Sequence, residues 1–167
     1  GYSIHCLFRF LDDDKLMELI LRHSRSFFSA LIPSMPRRDA VKKILTVLRQ
    51  NQTVLILGDN LKRGEVETRL FDRPVRSARG PASLALRSGA TILPMYLVRN
   101  DVGGLELVIE DELKLIRSGD LQTDLQVNTD HIMRRRESLI RRYPDQWYWL
   151  TAKIPLRDDG LSTKGVA

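Results

Sequence analysis

Asp59 and Asn60 close an aliphatic run, Thr53 to Leu57, that is followed by Gly58. A polar pair at the end of a buried strand is a frequent place for chemistry, because the strand fixes the backbone while the turn presents the side chains. The competing reading of Asp59 is a turn residue that accepts backbone N–H groups. Proton transfer would also fall to histidine, and the three present, His5, His23 and His131, are scattered. None forms a pair at metal-ligand spacing, and each reads as a surface or half-buried residue rather than a catalyst. The sequence has no P-loop, no Gly-x-Ser-x-Gly elbow and no dinucleotide fingerprint, and no metal site is expected. Arginine is the remaining reactive class: 20 of the 27 basic residues are Arg, and the net charge is +6. The planar guanidinium fork suits bidentate phosphate or carboxylate contacts. The charge therefore points either to an anionic partner or to an ordinary solvated surface.

The elements that must position these residues are legible from pattern. A chain of 167 residues fits one domain, with a core large enough to fold alone. With 43% apolar and 29% charged residues the chain is not disordered, and its longest nearly apolar stretch, Thr91 to Val98, is far below the roughly 20 residues that span a bilayer. The single cysteine, Cys6, rules out an internal disulfide framework and a Cys-rich zinc site, and its thiol is expected in the core. The start at Gly1-Tyr2-Ser3, with neither an initiator Met nor a signal segment, reads as that of a piece of a longer chain.

Tyr2 to Phe10 reads as a mostly buried strand, and Asp12 to Asp14 open a helix expected to run to about Leu31. Ser34 and Pro36 start a second helix with Val41, Ile44, Leu45 and Leu48 on one face. Thr53 to Leu57, Glu65 to Phe71, and Leu105 to Ile109 read as strands. Gly80-Pro81 opens a short helix to Arg87 that Gly89 closes. Thr91 to Val98 is a strand whose Pro94 demands an edge or a bulge, and Val102-Gly103-Gly104 is a hairpin turn signal. Leu121 to Arg142 is helical, with Arg136 among its apolar residues, so that it must either snorkel or meet an anion. The expected fold is α/β, a mixed β-sheet flanked by helices, over 1–155, with 156–167 as a polar tail or linker.

Read in order, the segment from Thr53 to Arg99 gives an aliphatic strand ending in Gly58-Asp59-Asn60, then Leu70-Phe71-Asp72-Arg73-Pro74, then Arg79-Gly80-Pro81-Ala82-Ser83-Leu84-Ala85-Leu86-Arg87-Ser88-Gly89-Ala90, then Ile92-Leu93-Pro94. Ser24-Arg25 with Leu31-Ile32-Pro33 precedes it, and Glu137-Ser138-Leu139-Ile140-Arg141-Arg142-Tyr143-Pro144-Asp145-Gln146-Trp147-Tyr148-Trp149 follows. Over about 1–150 the chain resembles the bacterial lipid A biosynthesis acyltransferases, the late lauroyl and myristoyl transferases, and the related phosphatidylinositol mannoside acyltransferases. That family carries Asp-Gln after the aliphatic strand, Phe-Phe-Gly-x-Pro, Gly-Pro-Ala-x-Leu-Ala-x-Arg-Thr-Gly-Ala and a closing Glu-x-x-Ile-Arg-x-x-Pro-Glu-Gln-Trp-x-Trp. Here Asn60 stands for Gln, Leu70-Phe71-Asp72 for Phe-Phe-Gly, and Leu150-Thr151-Ala152-Lys153 for the family's His-x-Arg-Trp.

The resemblance implies a glycerolipid-acyltransferase-like fold that is N-terminally incomplete. The family's catalytic signature is a His followed five positions later by Asp or Glu; here those positions hold Phe10, Phe28 and Arg136, so the general base is not in this chain. By the same resemblance Asp59 helps orient that base, with Asn60 beside it. Arg9 and Arg25 either hold a phosphate of the acceptor, as a fixed bidentate contact would, or form surface salt bridges. Trp147 and Trp149 serve either at a lipid headgroup level or in packing. The implied reaction moves a fatty acyl group from an acyl thioester, on acyl carrier protein or coenzyme A, to a hydroxyl of an anionic glycolipid at the cytoplasmic face of the inner membrane. No other cofactor is expected. The alternative is a catalytically inactive module that binds anionic lipid. Nucleic acid is not an expected partner, because aromatic and basic residues are not interleaved.

Overall fold

The computed structural model describes residues 2–58 and 65–149. Asp59, Asn60 and the tail from 150 onward lie outside the described residues. The elements run β1 (Ile4–Phe8), α1 (Asp14–Ser24), β2 (Ala30–Pro33), α2 (Arg37–Arg49), β3 (Thr53–Ile56), β4 (Val66–Leu70), β5 (Arg73–Ser77), α3 (Gly80–Ser88), β6 (Met95–Arg99), β7 (Leu105–Ile109) and α4 (Leu121–Arg142), followed by a 3-10 turn, Pro144–Gln146. The α/β expectation holds. Parallel and antiparallel pairings are both present but fall in separate ladders: a parallel sheet of order β2-β1-β3 and two antiparallel pairs, β4-β5 and β6-β7.

Period-two alternation explains how the parallel sheet is covered. Leu7 on β1 is paired with Ile32 on β2 and Ile56 on β3, so the three point to one face. That face packs on Ile44, Leu45 and Val47 of α2 and on Leu84 of α3. Cys6 faces the other way and is buried, as its sequence context requires, and burial pushes its thiol pKa up.

The first helix is shorter than its apolar run suggests. It begins where Asp13 accepts the Leu16 N–H at 2.9 Å, a side-chain N-cap. It ends at Ser24, whose carbonyl takes the N–H groups of Phe27 and Phe28 at 3.0 and 2.8 Å. Ala30 and Leu31, expected as the end of that helix, belong instead to β2. The cause is tertiary: all four of its residues pair with β1, in register from His5↔Ala30 to Phe8↔Pro33, and a four-residue strand is too short to show a period of its own.

A second core lies under α4, where Leu70, Val75, Met133 and Ile140 are buried with Phe71 and Trp147 against them. The β4-β5 hairpin that supplies Leu70 and Val75 turns on Phe71 and Asp72, with φ of 52° and 61°. Two successive positive φ values make the kind of turn whose twist matches its strands. Gly89 ends α3 at φ 78° and Asp120 caps α4 through the Thr123 N–H at 2.7 Å. Pro94 resolves simply: β6 starts one residue after it, and its carbonyl accepts the Glu110 N–H at 2.9 Å.

Candidate active site

Order β2-β1-β3 places the switch of chain direction between β1 and β3, the position where open α/β sheets bind ligands at their strand C-termini. Three short segments leave the sheet at that edge. After β1 come Arg9, Phe10 and Leu11, after β2 come Ser34 and Met35, and after β3 come Leu57 and Gly58. The edge is tied across by the Ser34 N–H bonding the Phe8 carbonyl at 2.8 Å. Its apolar side chains are unusually open, with Met35 69% and Leu57 68% exposed, and Phe10 and Leu11 are exposed as well. Arg9 and Arg38, the second residue of α2, are exposed at this end and have no ion-pair partner among the described residues.

Asp59 and Asn60 follow Gly58 in the sequence but lie outside the described residues. What the structure does place is the end of the strand that leads to them. Arg136 of α4 donates from its guanidinium to the Gly58 carbonyl, and its other Nη contacts Met133 Sδ at 3.2 Å. Of the two fates open to Arg136, the molecule takes a variant of the second: the group it meets is a backbone carbonyl at a strand end. A Cβ on Gly58 would lie 3.2 Å from Arg136 Nη2, so a larger residue would press the guanidinium back by a few tenths of an ångström.

Arg25 is not at this edge. It is the C-cap of α1, four residues before Ser29, whose N–H bonds the Ile4 carbonyl at the opposite end of β1 at 2.8 Å. Arg9 and Arg25 are therefore separated by the length of the sheet and do not converge on one anion. Arg25 is exposed and has no ion-pair partner among the described residues.

The histidines are dispersed. His5 on β1 bonds the Gln52 side chain through Nε2 at 2.9 Å and leaves Nδ1 buried without a partner. His23 bonds the Leu19 carbonyl at 2.9 Å on α1. His131 lies on α4. Among the described residues no cluster of His, Cys, Asp and Glu could hold a metal ion.

Two carboxylates that sequence reasoning did not single out for these roles organise the surroundings. Glu65, just before β4, takes a bidentate bond from Arg37 of α2 and a 3.6 Å contact from Arg79 at the start of α3. The Arg37 hydrogen bond holds the Glu65 carboxyl below its ordinary range. Glu137 of α4 accepts the Phe71 N–H at 2.8 Å and pairs with Arg141 at 2.7 Å. Burial pushes the Glu137 carboxyl up, but these two bonds outweigh it and hold it below its usual value. Arg141 in turn lies 4.9 Å over the Phe71 ring, and Trp149 packs 5.9 Å from that ring. Gln146 bonds both backbone groups of Arg99, at 2.7 and 3.0 Å. The motif from Glu137 to Trp149 thus clamps the hairpin turn and β6 to the end of α4.

The model for the bacterial lipid A biosynthesis acyltransferase family matches residues 12–154. The chain belongs to this family. No curated protein matches it. In this acyltransferase the motif residues divide by place: the strand end before Asp59 belongs to the sheet edge, whereas Phe71, Glu137, Arg141, Gln146 and Trp149 fix the scaffold beside it. Trp147 packs against the second core, and Trp149, 46% exposed, donates Nε1 to the Pro144 carbonyl at 2.7 Å. Among the described residues no helix is long and apolar enough to cross a membrane.

Proposed function

We propose that this acyltransferase moves a fatty acyl group from an acyl thioester to a hydroxyl of an anionic membrane glycolipid such as a lipid A precursor, at the cytoplasmic face of the inner membrane. The observation that carries the proposal is the composition of the strand edge. Exposed Phe10, Leu11, Met35 and Leu57 share this end with Arg9 and Arg38, a surface suited to a ligand with acyl chains and a phosphate. The open apolar face of the β6-β7 hairpin, with Leu97, Leu105, Leu107 and Ile109 exposed, supports contact with a lipid surface.

In this reading a histidine held by a carboxylate takes the proton of the acceptor hydroxyl as its oxygen attacks the thioester carbonyl. The C–S bond then breaks, and the thiolate leaves with the proton returned by the imidazolium. No His of the sequence has Asp or Glu five positions on, so in this reading the base is not one of these residues. Asp59, with Asn60 beside it, orients that base, and Arg9 holds the acceptor phosphate so that the hydroxyl is positioned. The acyl donor is carried on acyl carrier protein, whose acidity matches the basic surface, or on coenzyme A.

The test is transfer of a radiolabelled acyl group to a lipid A precursor by this chain joined to a segment carrying His-x4-Asp/Glu, with acyl carrier protein and coenzyme A thioesters compared. Transfer that falls on the order of a hundredfold in Asp59→Asn, the scale of a general-base contribution, is expected. No acylation of any hydroxyl-bearing glycolipid would sink the proposal. Binding of the precursor without transfer would favour the second reading, an inactive lipid-binding module, which the lack of a His-carboxylate pair among the described residues supports.

A further inference from the structure

On the face of α4 turned away from the second core, Glu112, Leu113 and Lys114 stand opposite His131, Arg134, Arg135 and Ser138 and enclose an open cleft of about 500 Å³. His131, Arg134 and Ser138 fall at i, i+3 and i+7, one stripe of the helix. Met133 and Ile140 lie on the opposite stripe, in the second core, so this cleft is distinct from the strand edge that Arg136 reaches. Its walls are fixed at both ends. Asn128, fully buried, bonds the N–H and the carbonyl of Ile116 at 2.9 and 2.8 Å. At the other end Arg135 pairs with Glu110 at 2.8 Å. The Leu113 N–H also bonds the Ile92 carbonyl at 2.9 Å. Between these clamps the Lys114 ammonium, the Arg134 guanidinium and the His131 ring have no ion-pair or hydrogen-bond partner among the described residues.

We infer that this cleft binds a phosphate group. Lys114 and Arg134 line the cleft from its two sides and neither has an ion-pair partner among the described residues, so an anion between them is attracted by both charges. Arg134 offers a planar fork, Lys114 a point charge, and the His131 ring a further donor, while the Ser138 hydroxyl donates to the Arg134 carbonyl at 3.1 Å. Leu113 is the one apolar residue of the lining, which suits a headgroup or a small anion and not an acyl chain. Glu112, also in the lining, offsets part of the positive charge.

The phosphate could belong to a soluble phosphomonoester or to a phospholipid headgroup, and one experiment separates them. Inorganic phosphate is titrated into the isotopically labelled chain while backbone amide signals of 112–114 and 131–138 are followed. Saturable shifts are expected, weakened on the order of tenfold or more in Lys114→Ala/Arg134→Ala and unchanged in Lys43→Ala/Arg49→Ala, which removes the same charge from exposed positions on α2. Absent or non-saturable shifts, shifts that survive the first double variant, or equal weakening in the second overturn the inference. Flotation with phosphatidylcholine vesicles containing phosphatidic acid then assigns the source. A loss specific to the first double variant identifies a lipid headgroup, and equal flotation of all forms alongside saturable phosphate shifts identifies a soluble ligand.

Discussion

Replacing Glu137 tests whether the α4 clamp on the hairpin turn stabilises the fold. Glu137→Ala removes the acceptor of the Phe71 N–H and the partner of Arg141. The Glu137 side chain is only 22% exposed, so water replaces the lost bond poorly. A hydrogen bond to a charged group contributes about 1.5 to 3 kcal/mol, and an exposed i,i+4 ion pair about 0.3 to 0.5 kcal/mol. The sum is a loss of about 2 to 3 kcal/mol, or a fall in Tm of about 4 to 10 °C for a chain of this size. Glu137→Gln keeps an acceptor for the Phe71 N–H and should cost less, about 1 kcal/mol.

The pH dependence fixes the sign. The Glu137 carboxyl is held below its ordinary range, so the unfolded chain binds its proton more readily than the folded one. Its contribution is then fully present above the ordinary Glu pKa and is lost as pH falls through the lowered folded value. Urea denaturation followed by circular dichroism should therefore show the gap between the parent protein and Glu137→Ala at pH 7 and a narrower gap in acid. A gap at pH 7 below about 0.5 kcal/mol, the range of ordinary surface substitutions, or one that widens in acid, refutes the clamp.

Asn128→Leu should be the more damaging change, because Asn128 is fully buried and bonds Ile116 twice and the Asp124 carbonyl once, at 2.7 Å. Leaving those backbone groups unpaired costs about 3 to 5 kcal/mol, and thermal unfolding should show a Tm lower by about 6 °C or more. Gly58→Ala should cost less than about 1.5 kcal/mol, since the crowded atom is the end of a long side chain. In a double-mutant cycle with Arg136→Ala the two effects should fail to add; simple additivity in urea denaturation would show that Arg136 does not hold the strand end.

The parts of the fold that were legible carry strong local signals. The four helices announce themselves by apolar periodicity and by end signals such as the aspartate-rich start of α1 and Gly89 after α3, and the β6-β7 hairpin by its glycines. β2 was not legible because four residues, Ala30 to Pro33, follow an apolar run at helical spacing and become a strand only through pairing with β1. β5 was hidden for another reason. Arg73-Pro74-Val75-Arg76-Ser77 contains a proline and two arginines, tolerated because β5 pairs only with β4 and turns Val75 and Ser77 inward. Of the candidate site, Arg9 could be placed at a strand end from sequence, but nothing local tells that Arg25 sits at the far end of the sheet. That depends on whether the chain after α1 forms a helix or a strand.

Arg136 and Glu137 show why the family signature could be read in this sequence. They are adjacent on α4 and so point about 100° apart around its axis. One reaches the Gly58 carbonyl at the end of β3, and the other reaches the Phe71 N–H in the β4-β5 turn. One helix thereby sets the position of the strand end that leads to Asp59 and of the neighbouring hairpin at once, and a sliding of α4 by one residue would break both bonds. The residues from Glu137 to Trp149 depend on one another through that geometry: Phe71 needs Glu137 for its N–H, Glu137 holds Arg141, and Arg141 and Trp149 pack on Phe71. Side chains so coupled appear together in a fixed order, which is what a motif is. The candidate site at the strand edge draws on fewer residues, which make no such coupled contacts with one another, and leaves a weaker trace.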